Sequence, residues 1–118
     1  MKILFKEGEL GELSQGDLVW LDSNPVKGHE QGNYRPHLVL SHKETNRSNV
    51  VTVLPITSTE RNLPFRYKIE LSASSSWVVV DQPKTLDLRQ REYEFDDEEF
   101  ISKAELGDIL GMFKAIFF

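Results

Sequence analysis

The run NVVTVLPIT, residues 49–57, dictates more about the fold than any other part of the chain. It holds no charge and is dominated by β-branched residues, so it reads as a strand that must lie deep in a hydrophobic core. It is too short to cross a bilayer, and no window of the chain approaches a membrane span. A chain of 118 residues has room for one modest core around such a strand. A single domain over residues 1–118 is therefore expected. Shorter strand signals flank the central one. GDLVWLDS (16–23) is opened by a glycine, and PHLVLS (36–41) carries its proline at the first position, where a missing N–H is tolerated. RYKIELS (66–72) alternates like a half-buried strand. WVVVDQPKTLDL (77–88) reads as a strand that meets Pro83 and continues at a sheet edge. Residues 24–35 and 59–65 read as loops, 42–49 as a polar turn and 72–76 as a flexible connector. Residues 1–15 give no clear element.

Near the C-terminus the period changes. Leu106, Ile109, Leu110, Phe113, Ile116 and Phe117 fall on one face of a helix. Ser102 and Glu105 form a capping box, and Ile101 is placed to staple onto Leu106. Gly107 and Gly111 each cost about 1 kcal/mol of helix propensity, which points to close approach of another backbone or to simple tolerance. The expected architecture is mainly β: a small, strongly bent sheet or barrel capped by one terminal helix.

The chain has no cysteine, so disulfides and thiolate chemistry are excluded, which fits a reducing compartment. The apolar run in residues 1–15 is too short for a secretory signal, so a soluble, cytoplasmic protein is expected. Net charge is −5, but it is unevenly spread. Residues 1–70 are balanced, and residues 71–118 carry the whole excess, much of it in EYEFDDEE (92–99). Phosphate binding depends on local potential, not on the total. The acidic block reads as a solvated face that also suits keeping nucleic acid away or meeting a basic partner.

The chemistry-bearing residues sit on loops. GHEQGNYRPHLVL (28–40) hangs His29, Glu30 and Arg35 at the mouth of a buried strand. Pro36 biases Arg35 toward extended backbone, giving a guanidinium fork on a rigid base that suits phosphate or carboxylate. The same position also suits a surface arginine paired with an acid such as Glu30. His29 and Glu30 are the natural proton-transfer groups, or two solvated loop residues. Thr57 and Ser58 end the deepest strand, where hydroxyls suit a phosphate or merely satisfy a turn. Asp81 and Gln82 follow the apolar run WVVV. A carboxylate there is a catalytic group, an orienting partner for an arginine, or a turn former before Pro83. The basic stretches RNLPFRYK (61–68), with Phe65 and Tyr67, and KTLDLRQR (84–91) suit single-stranded nucleic acid, and suit solvated strand faces as well. His29, His37 and His42 lack metal-ligand spacing, and no phosphate-cradling glycine motif or nucleophile-elbow serine is present. No metal or cofactor is expected.

Taken together, GDLVWLDSNPVKGHEQGNYRPHLVLS, PITSTERNLPF and VVVDQPKTLDLRQR resemble the PemK/MazF family of toxin endoribonucleases from bacterial toxin–antitoxin systems. The resemblance runs from about Gly16 to the C-terminal helix and leaves residues 1–15 as an extension. It implies an SH3-like β-barrel with a C-terminal helix, a homodimer, metal-independent cutting of single-stranded RNA, and inhibition by a protein antitoxin. It also implies that Arg35 is the catalytic arginine and Thr57 its hydroxyl partner. Glu30, His29 and Asp81 match further positions tied to catalysis. Lys27, Gln31, Ser58, Arg61, Phe65, Gln82 and Lys84 are the expected RNA contacts. The PemK branch has an arginine two residues before the aspartate, where this chain has Val79, so the Arg35/Thr57 version of the chemistry is favoured. Two other readings stay open: a CcdB-like gyrase poison, disfavoured by a KAIFF tail without tryptophan, and a plain nucleic-acid or peptide binding module.

Overall fold

The computed structural model describes residues 2–4, 13–24, 33–72 and 74–118. The elements run β1 (Lys2–Leu4), β2 (Leu18–Leu21), β3 (Arg35–Val39), α1 (Lys43–Asn46), β4 (Val50–Thr57), β5 (Arg66–Glu70), β6 (Ser75–Val79), β7 (Lys84–Asp87), β8 (Tyr93–Asp96) and α2 (Lys103–Phe117). The uncharged run 49–57 becomes β4, the strand on which the others are organised. One edge of β4 pairs antiparallel with β3, Val53 opposite Val39 and Pro55 opposite His37. Its other edge is shared: β7 takes Val50–Val53 and β6 takes Ile56 and Thr57. The segment read as one strand, 77–88, therefore breaks in two. A turn at residues 80–83 lets each half pair with a different half of β4, and Pro83, which has no N–H, sits in the break.

The strand order is β1-β8-β2-β3-β4-β6-β5, with β7 attached to β4. Among the described residues the two ends of this path, β1 and β5, do not pair, so the bent sheet stays open where a closed barrel is expected. Its two faces hold two cores. One gathers Leu13, Val19, Leu21, Val39, Val51, Val53, Leu86, Leu88 and Tyr93. The other gathers Leu18, Leu38, Leu54, Ile56, Ile69 and Val78 under Ile109 of α2. Leu38 and Val39 of β3, and Val53 and Leu54 of β4, enter opposite cores in succession, which is why these stretches read as continuous apolar runs.

Residues with no clear element in the sequence find roles here. Lys2–Leu4 pairs along β8, Lys2 opposite Asp96, and Leu13 is fully buried. The polar turn 42–49 coils into the single turn α1, and Asn46 is pinned inside. Its amide donates to the Leu13 carbonyl at 2.9 Å while its Oδ1 accepts from Ser41 at 2.6 Å. The serine connector is shorter than expected. Leu71 and Ser74 exchange backbone hydrogen bonds at 3.1 and 3.2 Å, so Ser75 and Ser76 already belong to β6.

The terminal helix forms as its period requires. Ser102 Oγ accepts from the Glu105 N–H at 3.0 Å, and Glu105 accepts from the Ser102 N–H at 2.9 Å. Ile101 and Leu106 pack on the core together, and Ile109 is fully buried. Tyr67 donates to Asp108 at 2.8 Å and so ties β5 to the helix. A side chain at Gly107 or Gly111 would meet open space among the described residues, which leaves simple tolerance as the reading of those glycines.

Candidate active site

At the end of the β3–β4 pair lies a cleft of about 400 Å³. Continuing the β3–β4 register by two residues from His37 and Pro55 sets Arg35 across from Thr57. Both side chains line the cleft, with Trp20, Tyr34, Pro36, Ile56, Ser58, Leu71, Ser76, Asp96 and Glu99 among its other walls. Arg35 is the first residue of β3, and its place in the ladder is fixed by pairing with Leu21 of β2. Thr57 ends β4 and pairs with Trp77. The Thr57 hydroxyl accepts from the Thr59 N–H at 3.1 Å, which leaves its own proton free to be donated into the cleft.

The cleft carboxylates are engaged elsewhere. Asp96, almost fully buried, accepts from the Trp20 indole N–H at 2.9 Å and from the Glu98 and Glu99 N–H groups at 3.0 and 3.1 Å. Glu99 accepts from the Ser72 N–H at 3.0 Å. Among the described residues no carboxylate bridges the Arg35 guanidinium, so its fork faces the cleft with its donors available. Trp20 and Tyr34 stand together on the wall with ring centroids 5.9 Å apart, and the Tyr34 hydroxyl donates to Glu94. Burial and then that hydrogen bond push the phenol well above its ordinary range, so it remains protonated as a donor.

Of the residues chosen from sequence, the structure brings Arg35, Thr57 and Ser58 into one cleft. Asp81 and Gln82 are exposed on the turn after β6, and Arg61 and Phe65 are exposed on the segment before β5. None of these four lines the cleft. Lys84 opens β7 opposite Val53, which places it two residues along the same sheet face from the position beside Pro55. Lys27, His29, Glu30 and Gln31 lie outside the described residues.

Several cleft residues escaped the sequence reading. Trp20 sits inside the apolar string LVWL and reads as core. The acidic run reads as a solvated face, yet it folds as β8, with Tyr93 buried and Glu94 and Asp96 both turned to hydrogen-bond cleft aromatics. The signal was present in the strict alternation E-Y-E-F-D, which places the acids on one face of a strand and the aromatics on the other.

Comparison with known proteins decides the kinship. The family model described as PemK-like, MazF-like toxin of type II toxin–antitoxin system matches residues 14–117. The chain belongs to that family. Among relatives of this PemK/MazF-like chain, the Escherichia coli protein named endoribonuclease toxin MazF is 32% identical over 77 residues, which are 64% of this chain and 69% of the relative. The crystal structure of MazF from Deinococcus radiodurans superimposes with a TM-score of 0.73 at 31% identity, covering 88% of this chain and 94% of that one. A MazE–MazF structure from the same organism gives 0.69 at 25% identity, covering 88% and 93%. The PemK/MazF resemblance read from the loops thus extends over the whole described core of the chain. Among the described residues no helix is long and apolar enough to cross a membrane.

Proposed function

We propose that this chain is an endoribonuclease toxin that cuts single-stranded RNA at the Arg35/Thr57 cleft without a metal, and that a cognate antitoxin protein inhibits it. Membership of the PemK/MazF-like toxins, relatives named endoribonuclease MazF, and MazE–MazF complexes with the same fold support the activity and its inhibition. The observation that carries the chemistry is an arginine and a threonine lining one cleft from neighbouring, paired strands.

RNA brings its own nucleophile, the 2′-hydroxyl, to the scissile phosphate. Its oxygen bonds to phosphorus as the bond to the 5′-oxygen breaks, giving a 2′,3′-cyclic phosphate and a 5′-hydroxyl. The 2′ proton leaves to a base and a proton arrives on the 5′-oxygen. The reaction therefore needs alignment, proton transfer and neutralisation of a doubly charged phosphorane. Arg35 supplies two parallel N–H donors and a positive charge for its equatorial oxygens. Thr57 donates a further hydrogen bond. Glu30, or His29 beside it in the sequence, is the proposed proton acceptor. Asp81, outside the cleft, has no direct part in this scheme. Trp20 and Tyr34 offer flat faces on which a flanking base can stack. Ser58 and Lys84 are the proposed nearby backbone contacts, with Lys27, Gln31, Arg61, Phe65 and Gln82 guiding the strand on either side. A homodimer is proposed as the working form.

Incubating the purified protein with an unstructured RNA in excess EDTA tests the proposal. Cleavage by the wild type and its loss in Arg35→Ala are expected. Intact RNA would overturn the nuclease reading, and stalled gyrase in a parallel assay would point to a poison instead.

A further inference from the structure

The strongest unexplained group in the molecule is a histidine that no step above uses. His37 lies on β3 between Pro36, which lines the cleft, and Leu38, which enters the core, and it is 0% exposed. Both ring nitrogens are occupied. Nδ1 is 2.9 Å from the Arg35 carbonyl oxygen, and Nε2 is 3.0 Å from Ser23 Oγ. A carbonyl has no proton to give, so Nδ1 carries the hydrogen and donates it; Nε2 then accepts from the serine hydroxyl.

The two bonds fall where the backbone ladder stops. The β2–β3 pairing runs from Leu18 opposite Leu38 to Leu21 opposite Arg35. Ser23 lies two residues beyond that last pair, and the imidazole ties it back to β3 through a side-chain bond. From the other side the Arg91 guanidinium donates to the carbonyl of Asp22, and to that of Asn24 at 3.2 Å. The stem 22–24 is thus gripped twice, and one grip is shared with the peptide group of Arg35. Strand alternation also puts His37 and Arg35 on the same face, one ring below one guanidinium. Arg35 and Lys84 both disfavour a positive charge on that ring, Asp22 favours it, and burial is the largest influence, holding the group down to about 4. The ring beneath Arg35 is therefore neutral at physiological pH.

We infer that His37 is a positioning residue for the proposed cleavage: its neutral Nδ1–H tautomer fixes the main chain from which the Arg35 guanidinium projects and fastens it to Ser23. This rests on the assignment of Arg35 to the phosphate. A small displacement of a catalytic group costs far more in turnover than in binding, because alignment is what the site contributes.

Steady-state cleavage of one short RNA by His37→Phe, His37→Asn and Ser23→Ala tests it, each variant checked for folding by circular dichroism. His37→Phe keeps a ring of similar size and loses both bonds. It is expected to lower kcat by roughly 10- to 100-fold with KM within about threefold, the pattern of lost positioning rather than lost binding. His37→Asn retains a donor near the Nδ1 position and is expected to recover most of that loss. A folded His37→Phe that turns over like the wild type overturns the inference. Where His37→Phe does not fold, Ser23→Ala decides: a several-fold fall in kcat supports the clasp, and wild-type kcat overturns it. Nitrogen-15 NMR of the RNA-free protein gives a readout apart from activity, with the proton expected on Nδ1; a proton on Nε2 overturns the geometry. An Arg35→Ala variant that cleaves normally would instead remove the site assignment itself, whereas an inactive Arg35→Ala beside an unaffected His37→Phe removes only the positioning role.

Discussion

Arg35 and His37 show how differently two side chains of one short strand announce themselves. Arg35 stood out because a cation immediately before Pro36 sits on backbone biased to be extended, and it opens β3 at the cleft. His37 was not, because PHLVL reads as apolar and a buried imidazole leaves no periodic mark. The pair of substitutions Arg35→Ala and Arg35→Lys separates charge from shape. Alanine is expected to lower the single-turnover rate by roughly 10²-fold or more, and lysine to restore only a small part, since an ammonium cannot form the bidentate fork. Thr57→Val, which keeps the shape and removes the hydroxyl, is expected to slow cleavage with little change in melting temperature; an unchanged rate would remove Thr57 from the scheme. His37 also predicts an acid liability. Its native value is about 4 against 6.5 for a free imidazole. Between those values the unfolded chain binds a proton that the folded chain refuses, so the stability is complete above about pH 6.5 and declines as pH falls toward 4. Denaturant titrations at pH 7 and pH 5 should differ by on the order of 2 kcal/mol from this group, and His37→Phe should flatten the difference. Asp17 acts in the opposite direction, since burial raises its carboxyl.

The elements follow from signals that differ in strength. The helix α2 was readable end to end, because its cap, staple and 3.6-residue period agree. Ser102→Ala is expected to cost about 1 kcal/mol and Ile109→Ala about 2–5 kcal/mol in unfolding free energy, by denaturant titration. The turn before β2 depends on Gly16, whose φ is +97° and whose backbone N–H donates to Val39 at 2.8 Å. A Cβ there would stand 3.0 Å from Leu106 of α2. Gly16→Ala therefore combines a disfavoured backbone region with crowding at the sheet–helix contact, and is expected to lower the melting temperature by several degrees. β8 was the harder element. Its carboxylates suggested solvent, and only pairing with β1 and β2 brings Glu94 to Tyr34 and Asp96 to Trp20. Charge alone cannot report that a carboxylate has hydrogen-bond donors waiting for it.

What the chain could not disclose from sequence is how its pieces meet across long separations. β4 was evident, but its division between β6 and β7 depends on a turn at residues 80–83, and the open path from β1 to β5 depends on that division. The cleft is a product of the same arrangement, drawing on β2, β3, β4, β6 and β8 and on the segment after β4. Kinship drew Arg35 and Thr57 together and both line the cleft, while Trp20, Tyr34, Asp96 and Glu99 needed the assembled sheet. With net charge −5, the proposed RNA contacts rest on local cations, so affinity for RNA should fall on raising salt with a shallow slope set by a few phosphate contacts. The most direct measurement uses an RNA with one mapped cut site and the same RNA carrying a 2′-deoxyribose on the 5′ side of that site. The protein should bind both comparably, cleave the first to a 2′,3′-cyclic phosphate end, and leave the second intact. Cleavage of the deoxy-substituted strand at the same position would contradict the account.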